Sequence, residues 1–261
     1  MTLGEALLEL QQLTERLRRD CPWDREQTAR TIVPHTVEEA YEVADAALAG
    51  DPARLLDELG DLLFQVYFLA MLLEERGAGD LAAAARAIHD KLVRRHPHVF
   101  GEAQADSPGA VKARWEDLKR EQEEREGVFH DVPSSLPALL LARKVQTRAR
   151  AVGFEYPDAA GALADLDDEL QELRAELGDD PAPETEADPR QFAELGDVLF
   201  AAVNLARRLN VDPELALRAA TERFRARVEI AERLADERGE TWTELPLEEQ
   251  DRYFDLAKER E

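Results

Sequence analysis

The chain has 261 residues, 33 Lys plus Arg against 57 Asp plus Glu, and a formal net charge of −24. A surface this acidic repels phosphate backbones and argues against nucleic-acid binding as a broad function, while the single Cys21 excludes an internal disulfide and a cysteine-based zinc site. Aromatics at 6% and charged residues at 34% favour helices over β-sandwiches and barrels.

The N-terminal stretch MTLGEALLELQQ carries acids where a secretory leader would be basic and then apolar. The longest apolar run, Leu62 to Leu73, is broken by Gln65 and falls short of the about 20 residues that span a bilayer. Both features predict a cytoplasmic protein without a membrane partner. Thr36 followed by Glu39 has the form of a capping box, opening a helix with Val37, Ala40, Tyr41, Ala44 and Leu48 on one face. Gly50 stops it, and Asp51-Pro52 supplies the cap and first residue of the next helix. Asp80 opens a third, and His96-Pro97-His98 ends a helix. A charge run over 121–127 and the connector Asp131–Pro137 place a linker at 126–137, between domains of 1–125 and 138–261. Beyond it, Asp158 opens a helix bearing Leu163, Leu166, Leu170 and Leu173, which Gly178 ends. Asp188-Pro189 and Asp212-Pro213 start two more.

The two halves repeat. ELGDLLFQVYFLA from Glu58 returns as ELGDVLFAAVNLA from Glu194, 136 residues later. Glu38–Glu42 matches Asp168–Glu172, Lys91–Arg95 matches Arg223–Arg227, and Trp115–Lys119 matches Phe254–Lys258, in the same order. The expected fold is all-α, two tandem helical bundles produced by internal duplication.

Counting from the turns brings acids together. Glu42 lies eight residues before Gly50 and Glu58 eight after it; Glu39 and Asp61 are each eleven away. In antiparallel helices joined by a tight turn, equal distances put residues level. Glu172 and Glu194, then Glu169 and Asp197, mirror this about Gly178 and Asp188. The helix of Glu58 is apolar on most sides, with Leu59, Leu62, Leu63, Val66 and Ala70 on one and Phe64, Tyr67 and Phe68 nearly opposite, which predicts a buried helix. Its polar strip of Asp57, Glu58, Asp61 and Gln65 then lies in or beside the core. Carboxylates crowded there need cations, and an all-oxygen set suits Mg²⁺ or Mn²⁺. The His residues form no Glu-x-x-His pair, which argues against a di-iron bundle.

Basic pairs accompany the acids. Lys91 and Arg95, like Arg223 and Arg227, are spaced i, i+4 and share a helix face suited to phosphate oxygens. Trp115 with Lys119, and Phe254 with Lys258, offer a stacking ring and a further cation. Ordinary amphipathic helices with solvated charges account for these groups equally well.

The acids resemble the signature E-E-x-x-E, spacer, E-x-x-D of the MazG family of nucleoside triphosphate pyrophosphohydrolases: Glu38-Glu39-x-x-Glu42 with Glu58-x-x-Asp61, then Asp168-Glu169-x-x-Glu172 with Glu194-x-x-Asp197. CPWD at Cys21–Asp24, RRHPHVFGE at Arg94–Glu102 and VGFEYPD at Val152–Asp158 resemble tandem two-domain members. Asp168 replaces a Glu of the signature, and Phe254 stands where Trp is common. The resemblance implies Mg²⁺-dependent hydrolysis of NTPs and dNTPs to monophosphate and pyrophosphate, a housekeeping role with broad base tolerance, and a homodimer. It implies metal and catalytic roles for Glu39, Glu42, Glu58, Asp61, Glu169, Glu172, Glu194 and Asp197. A non-catalytic nucleotide sensor and a helical structural adaptor are the competing readings.

Overall fold

The computed structural model describes residues 1–101, 127–130, 132–177 and 188–260. All regular structure among the described residues is helical, and none of these helices is long and apolar enough to cross a membrane. The chain divides into two compact units, Met1–Glu124 and Arg125–Glu261.

The first unit contains α1 (Leu3–Asp20), α2 (Pro22–Glu26), α3 (Ala29–Ala49), α4 (Pro52–Glu74), α5 (Leu81–Arg95) and the short α6 (Pro97–Phe100). Helices α3 and α4 form its hairpin, with α1 and α5 packed on α4. Gly50 caps α3 in the left-handed conformation at φ 68°, where a Cβ would be strained, and Asp51 accepts from the Ala53 and Arg54 N–H groups to start α4. The core is small, with Ile32, Phe68 and Leu72 buried against Phe64, Leu69 and Met71. Arg18 ties the CPWD segment down, donating to the carbonyls of Asp24, Arg25 and Gln27 and, through two bonds of 2.7 and 2.8 Å, to Glu75.

Two expectations fail here. Helix α3 begins at Thr28, whose hydroxyl accepts from Thr31 N–H, rather than at Thr36. Thr36 lies inside the helix and donates its hydroxyl to the Ile32 carbonyl. Pro34 lies inside the helix, where proline normally breaks it, but the Thr28 cap and Ile32 in the core hold the earlier turn in place. Helix α4 is also buried on one side only: Tyr67, Phe68, Ala70 and Leu72 are enclosed, whereas Leu56, Leu59, Leu63 and Val66 are exposed.

The second unit contains α7 (Ala138–Arg150), α8 (Ala159–Leu177), α9 (Pro189–Arg208), α10 (Pro213–Asp236), a 3-10 turn at Trp242–Glu244 and α11 (Leu247–Lys258). Its hairpin is α8 and α9, with α7 across α9 and α10. Asp158, Asp188 and Asp212 each accept from a first-turn N–H. Tyr253 and Ala257 of α11 close a second core on Ala231, Leu234 and Ala235 of α10.

Candidate metal centre

Each hairpin brings acids to one place. Glu39 and Glu42 stand three residues apart on α3, and Glu58 and Asp61 three apart on α4, so each pair shares a helix face. Carboxylate oxygens of Glu39, Glu58 and Asp61 lie within 4.8 Å of one another. On α8 and α9, oxygens of Glu169, Glu194 and Asp197 meet the same limit. Glu42 and Glu172 stand outside these triads at their edges. Glu42 is close enough to Glu58 for that charge to act on it, and Glu172 is close enough for its charge to act on Glu169.

The crowding is visible in proton affinity. Burial, then the charges of Asp61, Glu42, Glu38 and Glu58, raises the Glu39 carboxyl above its ordinary value. The Glu58 charge is the main reason that the Glu42 pKa rises. Glu169 is raised by burial first and then by Asp197, Glu172, Asp165 and Glu194. Asp61 and Asp197 are exposed, while Glu39, Glu58, Glu169 and Glu194 are half-buried, so each triad opens to solvent. Three carboxylates with no nitrogen or sulfur donor match the oxygen preference of a hard divalent cation. The units differ in one detail. Arg54 approaches Glu58 at 3.2 Å in the first, whereas Arg190 of the second reaches Glu176 at 3.9 Å.

The family model for the MazG nucleotide pyrophosphohydrolase domain matches residues 27–100, a span that holds all four acids of the first unit. The nucleoside triphosphate pyrophosphohydrolase/pyrophosphatase MazG of Thermotoga maritima is 40% identical over 255 residues, covering 96% of this chain and 94% of its own. The chain belongs to the MazG family. A nucleoside triphosphate pyrophosphohydrolase of Escherichia coli K12 is also 40% identical, over 98% of this chain and 97% of its own. A crystal structure of a mazG-related protein from Thermotoga maritima covers 43% of this chain and 97% of its own, at 28% identity and a TM-score of 0.38.

The remaining residues singled out from the sequence of this MazG chain that the structure describes lie on α5, α10 and α11, outside the two hairpins. Lys91 is exposed and Arg95 half-buried on α5, a pattern that Arg223 and Arg227 repeat on α10. Phe254 packs on Phe224 with ring centroids 5.5 Å apart, and the Lys258 ammonium lies 5.0 Å above the Phe254 ring and 2.8 Å from Asp255. Trp115 and Lys119 lie outside the described residues. Sequence reading missed a cavity of about 630 Å³ in the second unit, with Glu169 and Asp165 in its wall beside Phe154, Tyr156 and Asn204. Three helices and two loop segments build it, so no single periodicity announces it; the one trace in the sequence is the VGFEYPD run.

Proposed function

We propose that this MazG protein hydrolyses nucleoside and deoxynucleoside triphosphates to the monophosphate and pyrophosphate, using Mg²⁺, with Mn²⁺ as a substitute. The reading is carried by the three-carboxylate cluster, present in both units of a chain whose curated relatives are named nucleoside triphosphate pyrophosphohydrolases. Glu39, Glu42, Glu58 and Asp61 hold metal in one unit and Glu169, Glu172, Glu194 and Asp197 in the other, the two units being copies of one module. A bound divalent ion neutralises triphosphate charge and makes a water more acidic. In each unit, one of the four carboxylates that is not fully engaged by metal accepts the proton of the water that attacks the α-phosphorus. Lys91 with Arg95, and Arg223 with Arg227, steady the departing pyrophosphate. The exposed apolar stripe of Leu56, Leu59, Leu63 and Val66 on α4 is covered by a second copy of the chain, giving a homodimer. The role is nucleotide-pool housekeeping in the cytoplasm.

Hydrolysis in ¹⁸O-labelled water tests the assignment. Label is expected in the monophosphate, with equimolar pyrophosphate. Label confined to orthophosphate refutes attack at the α-phosphorus, and binding without turnover supports a nucleotide sensor instead.

A further inference from the structure

The two acid triads share one spacing, but the arginine that precedes each of them pairs differently. Arg54 stands four residues before Glu58 and seven before Asp61, so the three share one face of α4. Arg190 has the same relation to Glu194 and Asp197 on α9. Both backbones are held at a first helical turn, where Asp51 accepts from the Arg54 N–H at 3.1 Å and Asp188 from the Arg190 N–H at 2.8 Å. The two side chains therefore start from equivalent places and differ in the partner they take.

In the first unit the Arg54 Nε donates to Glu58 Oε1 at 3.2 Å. This bond engages an oxygen of the triad and sets a fixed positive charge beside it. In the second unit Arg190 turns across the hairpin toward Glu176 of α8, at 3.9 Å, and no Lys or Arg pairs with Glu194 among the described residues. The sequence accounts for the difference. Glu176 lies four residues after Glu172, and the residue four after Glu42 is Ala46, which is buried and carries no charge. Without a rival carboxylate at that level of α3, Arg54 pairs with the acid one turn along its own helix.

A divalent cation entering the first triad has to displace Arg54 from Glu58 and then remain near the displaced guanidinium. Neither cost arises at the second triad, where Glu194 is already released. The Arg54–Glu58 pair is partly solvated, so the penalty is that of a surface ion pair rather than a buried one.

We infer that Arg54 is a built-in competitor for metal at the first triad, and that Glu176 keeps Arg190 off the second, so that the nucleotide-free protein fills the second site at lower metal concentration than the first. The inference rests on the proposed metal-binding role of the triads.

The test is Mn²⁺ uptake by the full-length, nucleotide-free protein, followed through the electron paramagnetic resonance signal of free Mn²⁺. Glu194→Gln/Asp197→Asn leaves the first triad intact, and Glu58→Gln/Asp61→Asn leaves the second. The Kd of the first site is expected to be about fivefold weaker, equivalent to about 1 kcal/mol. Arg54→Gln should remove that difference by tightening the first site about fivefold. Arg190→Gln makes the same charge change at the equivalent place, yet should move the second site less than about twofold, because Arg190 is not on Glu194. Glu176→Gln should weaken the second site about fivefold by releasing Arg190 to Glu194. Arg54 and Arg190 are both exposed, so their substitution leaves folding intact. An unchanged Kd in Arg54→Gln, or equal tightening by Arg54→Gln and Arg190→Gln, overturns the inference while leaving the metal reading in place. If neither background takes up Mn²⁺, the metal reading itself fails and the inference falls with it.

Discussion

Neutralising one acid in each triad should make the metal-free protein more stable while removing its response to metal. In Glu39→Gln/Glu169→Gln, each substitution deletes a charge that lies within 4.8 Å of two others. At that separation and the dielectric of water, each like-charge pair costs ~0.9 kcal/mol. Water's dielectric is the appropriate choice because the triads open to solvent. Two pairs per unit give about 2 kcal/mol, and screening at 0.15 M salt reduces this to roughly 1 kcal/mol. For units of this size the gain corresponds to a Tm increase of about 3 °C in EDTA, and more at low salt. Wild type, by contrast, should gain about 2.7 kcal/mol when Mg²⁺ reaches a hundredfold excess over Kd, and the variant far less. Thermal melts followed by circular dichroism, with EDTA or Mg²⁺ at two salt concentrations, measure both effects. A metal-free variant that melts at or below wild type refutes the repulsion argument, and an equal Mg²⁺ response in both proteins removes Glu39 and Glu169 as ligands.

Carboxyls with raised pKa values, Glu39, Glu42 and Glu169, bind protons more tightly in the folded than in the unfolded state. Metal-free stability should therefore rise as pH falls from neutrality through their folded pKa values, a rise that saturating Mg²⁺ abolishes in pH-dependent melts. Glu155 behaves oppositely. Burial pushes its pKa up, but Arg207, Arg150 and Arg208 outweigh that and hold it below the ordinary value, so its contribution disappears at still lower pH. Glu155→Gln should cost about 3 kcal/mol in urea denaturation, because it leaves Arg207 and Arg208 mostly buried without their counter-charge; a loss under 1 kcal/mol would show that the network is solvated. Asp197→Asn should lower dNTP kcat/KM at least tenfold more than Asp61→Asn, since Arg223 and Arg227 offer two bidentate phosphate contacts where Lys91 and Arg95 offer one. The reverse ranking would make the first unit the catalyst.

The hairpins were legible in the sequence because caps and spacing are local. Asp51-Pro52, Gly50, Asp188-Pro189 and Asp212-Pro213 mark helix ends by backbone chemistry alone, and the structure places the ends there. The meeting of Glu39 with Asp61 follows from counting residues away from such a turn. Thr36 misled because Thr28 offers the same chemistry one helical stretch earlier, and only the burial of Ile32 decides between them. The exposure of Leu59, Leu63 and Val66 depends on which neighbours a helix lacks, which periodicity does not encode. The orphaned Gln146 oxygen was equally hidden, since it depends on the Phe200 carbonyl 54 residues away.

The Asp-Pro origin of α4 has a consequence for how the chain tolerates changes in length. Proline at the first helical position and the aspartate cap before it fix where the helix begins, and Glu58 and Asp61 are counted from that origin. One residue inserted between Pro52 and Glu58 turns both acids by about 100° and slides them along the axis, away from Glu39. The same insertion beyond Glu74, where the helix has already ended, leaves the acids in phase. Length variation is thus closed to the short stretch between cap and acids, although that stretch contains no residue of the cluster, and open on its far side.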